Sequence, residues 1–309
     1  MNLCPITYEP CGEKKYSERG LKLLNPTLKN LNDLELTQEE LVRESNARAI
    51  KLSIQGVQPK LSARLNVTEQ KFEIVDRNCT FIFKPQNNLY TELPENEDIT
   101  MRLAEKSGIE IPLHGMIYSK EGKLTYFIKR FDRYGKNKKL SVEDFAQLAG
   151  LTRDTKYDYS MEKLVAIIDK HCTFPALEKL KLFRLTLFSY LTGNEDMHLK
   201  NFSLISREDK IELSPAYDLL NTTIAIANPQ EEFALPLNGK KNNLASNDLI
   251  KYWGKERLQL TEKSISNTVE KIESSLNDWH ELIGISFLSD TMKEKYTLLL
   301  KGRKKILFG

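Results

Sequence analysis

A strand-rich first half followed by a helix-rich second half predicts a bilobal α+β protein, protein-kinase-like in layout, with its cleft between the lobes. Three observations lead there. Apolar and β-branched runs broken by Asn, Gly and charged turns fill residues 53–131, and helical periodicity dominates after Asp132. A polar, ionisable loop, Gly193-Asn-Glu-Asp-Met-His-Leu-Lys-Asn201, then sits between apolar segments, where functional groups collect. At 309 residues and 40% hydrophobic, the chain can bury enough core for two lobes, divided here as an N-lobe over 1–132 and a C-lobe over 133–309.

Taken in order, residues 1–36 are mixed, with a leucine-bearing stretch Leu21–Leu34 expected to pack on the domain surface. Thr37-Gln-Glu-Glu40 is a capping-box pattern that opens a helix, because the Thr hydroxyl and the Glu carboxylate can satisfy free N–H groups of the first turn. Strands are expected at Leu61–Val67, Phe72–Val75, Thr80–Phe83, Met116–Tyr118 and Leu124–Ile128, interrupted by one helix over Ile99–Lys106 closed by Gly108. Helices follow at Val142–Ala149, Met161–Lys170, Ala176–Thr192, Ser264–Ile283 and Thr291–Leu300. Short strands are expected at Phe202–Ile205 and Ile211–Leu213, and an irregular segment over Asn221–Asn243.

Composition excludes several classes. With 46 basic and 43 acidic residues, the net charge of +3 is too balanced to signal nucleic-acid binding, and the basic cluster Lys301–Lys305 is expected to be solvated. Cys4, Cys11, Cys79 and Cys172 show neither CxxC nor Cys/His spacing, so neither a zinc site nor a disulfide framework is expected, and a reducing cytoplasm is the default compartment. No apolar run reaches membrane-spanning length, and the opening residues lack a secretory pattern.

The loop carries the chemistry. An Asp followed five residues later by an Asn is the spacing of a kinase catalytic loop, in which the Asp receives the substrate proton and the Asn holds magnesium. Asp196 and Asn201 fit that pair, and Asp218, in Ser214-Pro-Ala-Tyr-Asp218, can supply a second magnesium ligand. Caps and turns use the same residue types, so the spacing alone does not decide. Lys84 ends an alternating apolar strand, where it either grips nucleotide phosphates or points into solvent as an edge lysine. Its candidate partner is Glu97, with Glu105 as the fallback. Ser53-Ile-Gln-Gly56-Val57-Gln-Pro-Lys60 can cover phosphates with backbone N–H groups, although an ordinary turn fits the same letters. His198 either meets a phosphate, orients Asp196 or is structural, and Lys200 either assists or is solvated.

Together, Ser53-Ile-Gln-Gly-Val-Gln-Pro-Lys60, Ile82-Phe-Lys84-Pro, Lys129-Arg-Phe-Asp-Arg133, Glu143-Asp-Phe-Ala-Gln147, the Gly193–Asn201 loop and Pro215-Ala-Tyr-Asp218 resemble the HipA family of bacterial serine/threonine kinase toxins, in the family's order. The chain is most similar to the short HipT-type branch. That resemblance implies Asp196 as catalytic base, Asn201 and Asp218 as Mg2+ ligands, and Lys84 and His198 on the phosphates of ATP. It implies Lys129–Phe131 as the hinge against adenine, with Gln147 and Tyr217 lining the nucleotide pocket and Ser53 as the autophosphorylated serine. Lys129 stands where longer members carry Glu, which bears on side-chain rather than backbone contacts at the hinge. The implied partners are a protein substrate such as an aminoacyl-tRNA synthetase, a HipB-like DNA-binding antitoxin, and a small HipS-like protein supplying an N-terminal subdomain. No direct nucleic-acid or membrane contact is implied. Two rival readings keep part of this picture: a lipid or small-molecule kinase, and an inactive antitoxin-binding scaffold.

Overall fold

The computed structural model describes residues 2–52, 58–87, 89–135, 138–152, 154–226 and 228–309. The chain divides into two compact units: Met1–Ile99 with Pro112–Asn137 and Ile285–Leu288, and Thr100–Ile111 with Lys138–Gly284 and Ser289–Gly309. The expected α+β organisation is present, with most strands in the first unit and most helices in the second.

The first unit begins with the hairpin β1 (Asn2–Leu3) and β2 (Pro10–Gly12), then helices α1 (Glu18–Leu24) and α2 (Gln38–Leu52). The capping box at α2 closes reciprocally: Glu40 N–H donates to Thr37 Oγ1 at 3.2 Å, and Thr37 N–H to Glu40 Oε2 at 2.9 Å. Strands β3 (Leu61–Asn66), β4 (Lys71–Ile74), β5 (Phe81–Lys84), β6 (His114–Tyr118) and β7 (Leu124–Lys129) form an antiparallel sheet in the order β4-β3-β5-β7-β6. Because side chains alternate along a strand, Phe81 and Phe83 of β5 share one face, where they meet Phe72 edge-on with ring centroids 5.0 Å apart. Leu21, Leu24, Leu28, Leu31 and Leu34 belong to this same buried cluster. The leucine stretch is therefore core rather than a surface patch, since its leucines come every three or four residues and a winding segment can turn each inward.

The other face of β5 carries Ile82 and Lys84, and helix α3 (Leu93–Lys106) supplies Glu97 and Asp98 to the groups on it. The helix starts six residues before the expected position. Pro94 is tolerated in a first turn, and buried Asn96, Glu97 and Asp98 interrupt the apolar period that sequence reading follows. The strand β8 (Arg133–Tyr134) completes this unit.

After Thr100–Ile111, the second unit continues with β9 (Lys138–Lys139) and β10 (Val142–Asp144). The helix expected over Val142–Ala149 is instead a strand followed by a single turn, α4 (Phe145–Leu148), because Val142–Asp144 pairs with β11 (Ser203–Arg207) and Asp144 caps the turn. β11 pairs in turn with β12 (Lys210–Leu213). Between these strands in sequence lie α5 (Met161–His171) and α6 (Pro175–Thr192), both close to expectation. After β12 come α7 (Thr222–Ala225), a π-helical segment Asn247–Arg257, α8 (Glu262–Ile285) and α9 (Asp290–Phe308). The π-helical segment was not expected from sequence. It fits because a Cβ on Gly254 would come within 2.8 Å of the Phe183 ring on α6, and Trp253 Nε1–H donates to Thr186 Oγ1 at 3.1 Å. The basic cluster lies on α9, where Arg303 is buried, pairs with Glu232 at 2.5 Å and covers the Tyr190 ring at 4.5 Å. It is thus not merely a solvated end.

Candidate active site

In the first unit the sequence pattern delivers a lysine to a dry place. Lys84 is 1% exposed, and its Nζ forms an ion pair and hydrogen bond with Glu97 Oε1 from α3, Glu97 being equally buried. The ring of Tyr126, register partner of Lys84 on β7, lies 5.6 Å from the same ammonium. Glu105, the fallback partner, is exposed. Beside this pair is a second buried one that sequence reading missed, His114 Nδ1 and Asp98 Oδ1 at 2.9 Å. Both pairs occupy one sheet face because Ile82 aligns with Ile128, and Ile128 with His114. Glu95, one turn earlier on α3, is pushed up to about 7 chiefly by burial, and then by the nearby charges of Glu92 and Asp98.

In the second unit, α6 ends at Gly193, whose φ of 65° is left-handed. A Cβ there would lie 2.5 Å from Leu299 Cδ2 and 2.6 Å from Thr223 Oγ1, so glycine is required both for conformation and for space. The Gly193 carbonyl accepts from the hydroxyls of Thr222 and Thr223, each at 3.0 Å, and Thr222 Oγ1 accepts from Glu195 N–H at 2.7 Å. The loop is thereby stapled to the segment that follows Asp218. Asn201 Nδ2–H donates to the Asp196 carbonyl at 2.7 Å, closing the loop across the five-residue spacing. Asp218 has φ 55°, left-handed backbone that Asp and Asn tolerate better than other side chains. Tyr217 before it donates to the Lys200 carbonyl at 2.9 Å and meets Ser203 Oγ at 2.5 Å, and burial raises its pKa.

Two residues outside every motif complete this region. Tyr157 O–H donates to Asp196 Oδ1 at 2.8 Å, and its ring meets the His198 ring edge-on at 5.2 Å. Lys156 Nζ lies 2.6 Å from His198 Nε2. His198 is buried, and burial holds its pKa below the usual imidazole value, so the neutral ring accepts from the Lys156 ammonium.

The family model of the HipA-like C-terminal domain matches residues 52–279. The chain belongs to this family. A putative kinase of Haemophilus influenzae is 28% identical over 242 residues, 72% of this chain and 69% of that one. The serine/threonine-protein kinase toxin HipA of Shewanella oneidensis is 31% identical over 191 residues, 55% of this chain and 43% of its own length. The solved HipA of Shewanella oneidensis, in complex with HipB and operator DNA, matches at TM-score 0.71 and 22% identity over 91% of this chain and 73% of that chain, which shows a shared fold. The chain spans 43% to 69% of the length of the curated relatives it matches.

Against the HipA-like expectations, the remaining residues fall as follows. Ser53, Gly56 and Val57 lie outside the described residues. At the expected hinge, Lys129 N–H donates to the Leu113 carbonyl at 2.7 Å and Arg130 N–H to the Thr80 carbonyl at 2.8 Å, so both are engaged within the sheet, while Phe131 is half-buried. Gln147 Oε1 accepts from Asp144 N–H at 2.9 Å in a capping box, and Lys200 pairs with Asp144 at 2.9 Å. Among the described residues, no cluster of three or more His, Cys, Asp or Glu side chains could hold a metal ion. Among the described residues, no helix is long and apolar enough to cross a membrane.

Proposed function

We propose that this HipA-like chain is a Mg-ATP-dependent protein serine/threonine kinase, the toxin of a bacterial toxin–antitoxin module. The observation that carries the reading is the buried Lys84–Glu97 pair. A strand lysine held by a helix glutamate away from water is the arrangement with which kinases hold nucleotide phosphates, whereas an edge-strand lysine would be exposed.

The donor chemistry suits the group. Magnesium takes oxygen ligands, commonly one or two carboxylates completed by phosphates and water, and therefore needs no cluster of three acidic side chains. Asp218 offers a carboxylate, and Asn201, whose Nδ2 is spent on the Asp196 carbonyl, offers its amide oxygen. Magnesium and ATP, when bound, supply charge neutralisation and the transferable phosphoryl group. Asp196, with its side chain 52% exposed, then accepts the proton of a serine or threonine hydroxyl as that oxygen bonds to the γ-phosphorus and the bond to the β-phosphate oxygen breaks. Lys84 holds phosphate oxygens, His198 lies beside the base, the hinge at Lys129–Phe131 takes the adenine, and Gln147 and Tyr217 border the nucleotide.

In this reading the phosphate-covering loop and the nucleotide-binding lysine belong to 1–132, and the catalytic and magnesium-binding loops to 133–309. Gly56 and Val57 cover the phosphates, and self-phosphorylation at Ser53 regulates the loop. A protein substrate such as an aminoacyl-tRNA synthetase, a HipB-like antitoxin and a small HipS-like partner are proposed on the family's pattern, in the cytoplasm. The name of the Shewanella oneidensis relative, a serine/threonine-protein kinase toxin, supports the acceptor class.

The test is transfer of labelled γ-phosphate from Mg-ATP to the purified chain and to a cell lysate. Label is expected on Ser53 and on a discrete lysate protein, falling by about 10³-fold in Asp196→Asn. Absence of nucleotide binding, or near wild-type transfer by Asp196→Asn, would overturn the proposal.

A further inference from the structure

An exposed aspartate has two free side-chain torsions and samples several rotamers, but a base must present one oxygen to the incoming hydroxyl. Here the other oxygen is already held. The Tyr157 hydroxyl donates to Asp196 Oδ1 at 2.8 Å, from a segment 39 residues away in sequence. We propose that Tyr157 is a positioning residue that fixes the Asp196 carboxylate, leaving Oδ2 to accept the substrate proton. The inference rests on the kinase reading above and assigns a role to a residue that lies in none of the motifs.

Three contacts hold Tyr157, itself 42% exposed, against the loop. Its ring packs edge-on against buried His198 at 5.2 Å, with planes 77° apart. Lys156 Nζ reaches His198 Nε2 at 2.6 Å and lies 4.7 Å from the Tyr157 ring centroid, so one cation braces both rings. The Lys156 carbonyl accepts from Leu199 N–H at 3.4 Å, tying the segment's backbone to the loop. Burial, and then the Asp196 charge, raise the Tyr157 pKa, so its oxygen keeps the proton it donates. A hydrogen bond to a carboxylate is among the stronger neutral-to-charged contacts, and its loss frees the base to turn.

The experiment uses the full chain and labelled Mg-ATP, following self-labelling against ATP concentration in wild type, Tyr157→Phe and Asp196→Asn. Tyr157→Phe keeps the ring on His198 and removes only the donor. The expected result is a drop of about tenfold in the rate at saturating ATP. Half-saturating ATP, Mg-ATP affinity and unfolding midpoint should stay at wild-type values, a split that a merely structural residue would not give. An unchanged saturating rate in Tyr157→Phe, with Asp196→Asn silent, would overturn the positioning role and leave the kinase reading standing. A raised half-saturating ATP with unchanged rate would make Tyr157 a nucleotide contact and also overturn it. Phosphate mapped to Tyr157 itself in the wild type would make it an acceptor, with the same consequence. Equal labelling by wild type and Asp196→Asn would remove the base assignment, and the inference with it.

Discussion

Lys84 in the first unit and Asp196 in the second are held by different physics. Lys84 is sealed from water together with Glu97, and the two pair because burial strips both groups of solvation and makes their mutual attraction strong. Asp196 keeps half of its side chain in solvent, and its loop is held by several hydrogen bonds from neutral donors, those of Thr222, Thr223, Asn201 and Tyr157. The contrast separates a site whose strength is concentrated in one pair from a site whose strength is spread. The first should fail abruptly when one partner is removed, and the second by increments.

The largest effect on stability is expected at Lys84. Lys84→Met would remove the lysine that pairs with buried Glu97 and should cost about 3–5 kcal/mol in chemical denaturation. The double variant Lys84→Met/Glu97→Leu should recover most of that loss while transfer stays absent. If the single variant were as stable as wild type, the pair would not be the concentrated anchor described.

Next comes Glu95, two residues before Glu97 on α3. Its folded pKa of about 7 lies above its ordinary value, so the native state holds a proton that the unfolded chain releases. Its contribution therefore favours folding less and less as pH rises from the ordinary carboxylate range to about 7. Glu95→Gln should leave stability near pH 4 unchanged and add up to about 3 kcal/mol above pH 7. Parallel pH–stability curves for the two proteins would refute this.

The smallest of the three is Thr222→Val in the distributed site. It removes one donor to the Gly193 carbonyl and the acceptor for Glu195 N–H, and should cost about 2 kcal/mol, because Thr223 still serves that carbonyl. A loss as large as that of Lys84→Met would erase the contrast between the two regions.

The same contrast explains what was legible in the sequence. Local rules found local structure: Thr37 and Glu40 cap α2 as their spacing requires, and the alternation Phe81-Ile-Phe-Lys84 puts the lysine on the face opposite the phenylalanines. Asp196 and Asn201 were singled out by their five-residue spacing, and a local hydrogen bond does span it. Tyr157 and Lys156 carried no such signal, since their partners lie 39 and 42 residues onward and a Lys-Tyr pair is ordinary in any loop. Val142–Asp144 was misread because its neighbour in the sheet, β11, is remote in sequence and a three-residue strand has too few positions for a period to register. The start of α3 was missed for the opposite reason: its polar residues are buried by one another and so break the apolar pattern.

The left-handed backbone at Asp218 also sets which substitutions there are informative. Alanine would remove the carboxylate and, in the same step, place a residue with no local hydrogen-bonding side chain in a conformation that disfavours it, mixing backbone strain with lost charge. Asparagine keeps the shape, tolerates the torsion angle and changes little except charge. Of the two, Asp218→Asn is the substitution whose phenotype can be read as electrostatics alone.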